Sequence, residues 1–91
     1  MGPVRLLRIA PHIAWNNVEG ELALFDSRDG TYHALNGPGA AIWRAIAAGR
    51  DQPGIVDALA GQFDAPRDTI EASVGEFLAM ARAKGLLEGA A

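Results

Sequence analysis

The side chains of this chain with chemical potential are few. They are two histidines, His12 and His33, eleven acids, and the hydroxyls of Ser27, Thr31, Thr69 and Ser73. A zinc site needs two or three ligands converging. Here one histidine precedes a β-type region and the other lies inside it, without the tight spacing of a metal motif. None of the hydroxyls sits in a nucleophile elbow, and no histidine falls near one in a triad-like pattern. Paired carboxylates for glycosyl transfer converge in space rather than in sequence. The acids here are scattered over predicted turns and helix faces, which reads as a solvated surface. Gly37-Pro38-Gly39 precedes a helix but lacks phosphate-loop spacing and a following lysine, so it reads as a tight strand-to-helix joint. With no cysteine, thiolate metal sites, disulfides and cysteine nucleophiles are excluded. The residues therefore predict no catalytic group, no metal and no cofactor.

The elements that would position a function are more legible. Ninety-one residues, 49% hydrophobic and 21% charged, make one ordinary globular domain spanning 1–91. The start, MGPVRLLRIAPHIAW, has no apolar run long enough for a signal peptide or a membrane span, so a cytoplasmic protein without membrane contact is expected. Ile13–Val18, Glu21–Asp26 and Thr31–Leu35 read as three strands. They are separated by Glu19-Gly20 and by Ser27-Arg28-Asp29-Gly30, whose glycines suit reversals. Val4–Ile9, interrupted by Arg5 and Arg8, reads as a further edge strand. Leu22 and Leu24 share one strand face, with Ala23 and Phe25 on the other.

Three helices follow. Asn36 is placed to cap the first, with Pro38 in its first turn and Gly49 as its stop. Asp51 or Gln52 caps the second, whose apolar stripe is Ile55, Val56, Leu59 and Phe63. The third runs from Pro66 to about Lys84 and stops at Gly85, after which Leu86-Leu87 fold back on the core. Its core stripe reads Ile70, Val74, Phe77, Ala81, with Glu71, Gly75, Leu78, Arg82 beside it. Trp15 and Trp43 have apolar-periodic neighbours and no interleaved basic residues, so both read as core or core-edge aromatics. The whole is an α+β fold, βββααα, a three-stranded antiparallel meander packed on three helices in winged-helix fashion. A winged helix invites DNA binding, but net charge is −3, and Asp68, Glu71 and Glu76 on the third helix oppose phosphate. No nucleic-acid partner is expected.

The ordered set Tyr32-x-x-Leu35-Asn36, Gly39, Ile42-Trp43 resembles the PqqD-like family of small peptide chaperones, the RiPP recognition elements. The resemblance continues through Gly49, Ile55-Val56, Leu59, Phe63-Asp64, Ile70, Val74, Phe77-Leu78 and Gly85-Leu86-Leu87, covering about residues 13–87. It departs at Pro38, Ser73 and Ala81, where the family commonly has a small hydroxyl residue, an acid and a leucine. The resemblance implies a non-catalytic chaperone. It would bind the leader of a ribosomally made precursor peptide by strand addition and deliver it to a modifying enzyme or leader peptidase. The Leu35-Asn36…Ile42-Trp43 version is most similar to the stand-alone proteins of split lasso-peptide systems, with a transglutaminase-like leader peptidase as partner. A PqqD-type chaperone serving a radical SAM enzyme ranks second, a winged-helix DNA-binding protein third and a small enzyme last. The implied peptide site is Thr31, Tyr32, His33, Ala34 and Leu35 on the strand, with Glu71, Val74, Gly75, Leu78 and Arg82 on the third helix. Gly75 either leaves room there for another backbone or is merely tolerated in an Ala/Gly-rich chain. Ordering a leader costs about 2–5 kcal/mol. The expected net affinity is nanomolar to micromolar, about −8 to −12 kcal/mol.

Overall fold

The computed structural model describes residues 7–89. In chain order it contains β1 (Leu7–Ile9), β2 (Ile13–Val18), β3 (Glu21–Asp26), β4 (Thr31–Leu35), α1 (Gly37–Ala47), α2 (Gln52–Gln62), α3 (Arg67–Ala83) and β5 (Leu87–Gly89). The meander is an antiparallel sheet of order β2-β3-β4, as expected. Glu19 (φ 48°) and Gly20 (φ 86°) both take left-handed conformations, the requirement of a two-residue type I′ hairpin. The β3–β4 turn closes through Gly30 (φ 74°), whose N–H donates to the Asp26 carbonyl at 2.8 Å. The Thr31 N–H donates to the Asp29 carboxylate at 3.1 Å.

Cross-strand pairs share a face. Leu22 and Leu24 of β3 are fully buried, and their β4 partners Leu35 and His33 are half-buried on the same, helix-covered side. The opposite side carries Ala23 and Phe25 opposite Ala34 and Tyr32, with the Phe25 and Tyr32 rings 4.9 Å apart. Trp15 pairs with Leu24 on the helix side but stays 37% exposed, because β2 is an outer strand. Trp43, by contrast, is fully enclosed.

The helix ends show how local chemistry sets the boundaries. Asn36 occupies the cap position of α1, yet its side chain makes no capping bond. Pro38 has no N–H to offer, and the left-handed Gly37 (φ 53°) turns the first helical peptide away from a regular cap. Asp51 does cap α2, accepting from the Gly54 N–H at 3.0 Å. Both α1 and α3 end in Schellman turns. Gly49 and Arg50 donate to the carbonyls of Ile46 and Ala45, and Gly85 and Leu86 donate to those of Arg82 and Ala81.

Leu86 and Leu87 return to the core, and β5 then pairs antiparallel with β1, Ile9 opposite Leu87. This second, two-stranded sheet adds a strand that the periodicity did not show. The Val4–Leu6 part of the expected edge strand lies outside the described residues. The core joins Leu22 and Leu24 to Ile42, Trp43 and Ile46 of α1, Ile55 and Leu59 of α2, and Ile70, Val74, Leu78 and Ala81 of α3. The α3 stripe thus differs from the sequence reading. Leu78 is core, while Phe77 is only half-buried at the margin. Ile70, Val74 and Leu78 follow one another at four-residue steps, which sets the buried axis of the helix and leaves Phe77 on one flank. No helix among the described residues is long and apolar enough to cross a membrane.

Candidate functional site

Among the described residues β4 has β3 on one side only, and its other edge is open. Which backbone groups line that edge follows from the turn. A two-residue hairpin makes Val18 and Glu21 a hydrogen-bonded pair, and such pairs alternate along an antiparallel ladder. The Ser27 N–H bonded to the His12 carbonyl at 3.0 Å keeps the same parity. On β3, then, Glu21, Ala23 and Phe25 bond towards β2, and Leu22, Leu24 and Asp26 bond towards β4. Across the β3–β4 register, Thr31, His33 and Leu35 use their backbone groups inward. The N–H and C=O of Tyr32 and Ala34 therefore face the open edge. Tyr32 is 73% exposed and Ala34 is exposed, so nothing described covers them.

Two contacts fix this edge relative to α3. At the Leu35 end, Leu35 Cδ2 and Phe77 Cε2 lie 3.7 and 3.6 Å from where a Cβ on Gly39 would sit. The strand end, the start of α1 and the flank of α3 thus converge on a residue without a side chain. At the Thr31 end, Arg28 reaches back under the sheet. Its Nε and NH2 donate to the two carboxylate oxygens of Asp26 at 3.1 and 2.7 Å, and NH2 also donates to the Lys84 carbonyl at 3.0 Å. His12 Nε2 bonds the neighbouring Gly85 carbonyl at 2.8 Å. Asp26 is 3% exposed. The Arg28 guanidinium bonded to it holds its carboxyl down to about 2, against the upward push of burial, with help from the Arg28 N–H and the nearby charges of Arg28 and His12. The same bond raises Arg28.

The five strand residues of the expected site thus stand together. The five helix residues do not join them. Val74 and Leu78 are enclosed in the core. Glu71 lies on the α2 side of α3, where Arg67 reaches it at 3.7 Å while bonding Asp57 of α2 at 2.6 Å. Gly75 and Arg82 follow Glu71 on that flank by helical spacing. The flank that faces β4 instead carries Phe77, with Ser73 and the half-buried Met80 one turn to either side. Phe77, Gly39 and Arg28 stand near this edge in the structure, and the sequence reading did not place them there. An available signal for Arg28 was Asp26 itself, an acid at an inward strand position that needs a nearby cation.

Among the described residues no three potential metal ligands cluster. The arrangement offers a strand edge beside the apolar side chains of Leu35 and Phe77, which suits capture of an extended chain.

No curated protein sequence matches the chain. Two solved structures are similar over nearly all of it. The first is TbiB1 in complex with the TbiA(beta) leader peptide, at 31% identity and TM-score 0.87, covering 92% of this chain and 98% of that one. The second is lasso peptide synthetase B1 complexed with the leader peptide, at 21% identity and TM-score 0.82, covering 90% and 96%, and it speaks to the fold alone. The family model described as coenzyme PQQ synthesis protein D matches residues 21–87. On that match, with the TbiB1 likeness, this chain belongs to the PqqD family.

Proposed function

We propose that this chain is a non-catalytic carrier. It binds the leader of a ribosomally made precursor peptide as an added strand on β4 and delivers it, in the cytoplasm, to the enzyme that processes it. The observation that carries this reading is the edge of β4 left open among the described residues, where the backbone groups of Tyr32 and Ala34 face outward near Leu35, Gly39 and Phe77. The leader complex of the 31%-identical TbiB1 supports leader binding, and the sequence resemblance to split lasso-peptide proteins favours lasso-peptide biosynthesis with a leader peptidase as partner. The family description keeps a second reading in view, a carrier in coenzyme PQQ synthesis.

Magnitudes assign the work. Tyr32 and Ala34 together offer four backbone groups, each worth a net ~0.5–1.5 kcal/mol when paired. The resulting few kcal/mol is largely offset by ordering the leader, about 2–5 kcal/mol. Net affinity must then come from apolar leader side chains packing beside Leu35 and Phe77, at about 1.5–3 kcal/mol for each one fully buried. Strand addition fixes register, and this apolar packing selects the peptide. Fluorescence polarisation with the labelled leader of the precursor encoded beside this chain tests the reading. The expected result is saturable nanomolar-to-micromolar binding, and no saturation overturns it. Co-purification with the neighbouring peptidase, or with a radical SAM enzyme, separates the two readings.

A further inference from the structure

Arg28 makes a tie that strand addition as such does not require. From the β3–β4 turn, its guanidinium forks onto buried Asp26 and then crosses to the Lys84 carbonyl at the end of α3, a partner 56 residues away in sequence. The fit is close. A Cβ on Gly85 would lie 2.6 Å from Arg28 NH2 and 2.7 Å from NH1, and Gly85 holds φ 74°. His12 also bonds the Gly85 carbonyl. The start of β4 and the C-terminal end of α3 are thereby joined through one side chain. At the other end of β4, Leu35 and Phe77 both approach Gly39.

We infer that Arg28 is a positioning residue for peptide capture: its bridge from Asp26 to the Lys84 carbonyl sets the distance between the β4 edge and α3. The inference rests on the proposed docking edge. A strand added to β4 presents alternate side chains to α3. Their burial depends on how far α3 stands from the edge, and a separation fixed in the free protein spares the ordering cost at binding. Lysine cannot reproduce the bridge, because a single ammonium cannot fork onto the carboxylate and hold a second acceptor in the same plane.

The test measures affinity and melting temperature together, using the labelled synthetic leader described above. Arg28→Ala should weaken binding about tenfold or more while retaining a cooperative melt, and Arg28→Lys should fall between it and the wild type. Val56→Ala, a buried change in α2 away from the β4 edge, serves as the stability control and should bind within about twofold of the wild type even where it melts lower. Gly85→Ala should weaken binding in the wild type and do so much less in the Arg28→Ala background, because the clash it creates is with the guanidinium. Wild-type binding left unchanged by Arg28→Ala overturns the inference and leaves the carrier reading standing. Loss of affinity in Val56→Ala in proportion to its melting temperature also overturns it. If Arg28→Ala does not fold, a folded Arg28→Lys with unaltered affinity decides against it. No binding by the wild type overturns the carrier reading and this inference with it.

Discussion

Two neighbouring residues of β4 have opposite duties despite sharing one strand. His33 spends its backbone N–H on β3, whereas Ala34 directs its own at the open edge. Proline removes that donor in either place. Ala34→Pro should therefore leave the thermal melt near the wild type and reduce leader affinity by about tenfold or more, since prolines are tolerated on edges. His33→Pro should instead lower the melt sharply. Circular dichroism and polarisation on the same samples check both. Asp26 gives a second residue-level expectation. Its carboxyl is held near 2, below its ordinary 3.8, so the charged form is the one that the fold favours. Its contribution to stability is complete above about pH 4 and is lost as pH falls towards 2. The melting difference between wild type and Asp26→Asn should close over that window. A difference constant from pH 6 to pH 2 would refute the assignment.

At the scale of elements, what was readable depended on whether the deciding neighbour is local. Glu19-Gly20, Asp29-Gly30, Gly49 and Gly85 act within a few residues of themselves, and their turns and stops fall where the sequence puts them. Asn36 has the composition of a cap without its bond, because Gly37 and Pro38 overrule it. β5 escaped notice because its partner β1 lies at the far end of the chain. Along α3, Phe77 and Leu78 both fit an apolar repeat, and only the packing shows that Leu78 belongs to the core and Phe77 to the flank facing β4. Gly75 illustrates the consequence. A Cβ there would meet nothing within 4 Å, and the residue sits mid-helix on the flank away from β4. Gly75→Ala should raise stability by about 1 kcal/mol, measured by urea unfolding, with leader affinity unchanged. A fall in affinity would restore Gly75 to the binding surface.

For the molecule as a whole, the core is small and one side chain is disproportionately important within it. Trp43 is fully buried between sheet and helices, and its indole Nε1 finds no hydrogen-bond partner among the described residues. Removing such a side chain costs about 3–5 kcal/mol. A domain of this length has roughly 5–14 kcal/mol to lose. Trp43→Ala should consequently lose a large share of the domain's stability, and a midpoint in urea within experimental error of the wild type would contradict that. The α+β class was readable from composition and periodicity. The β4 strand was readable, but the α3 flank beside it was not, because that depends on which way a helix is rotated, and all the core contacts set that at once.

The antiparallel pairing of β1 with β5 sets Leu7 opposite Gly89, so the first and last described residues stand side by side, about 5 Å apart at their Cα atoms. A segment such as 7–89, whose two ends adjoin, can be spliced into a loop of a host protein without prising the host apart. It can equally be re-cut. Opened at the exposed Glu19-Gly20 reversal and joined across its old ends, a circularly permuted version should still fold with its β4 edge free.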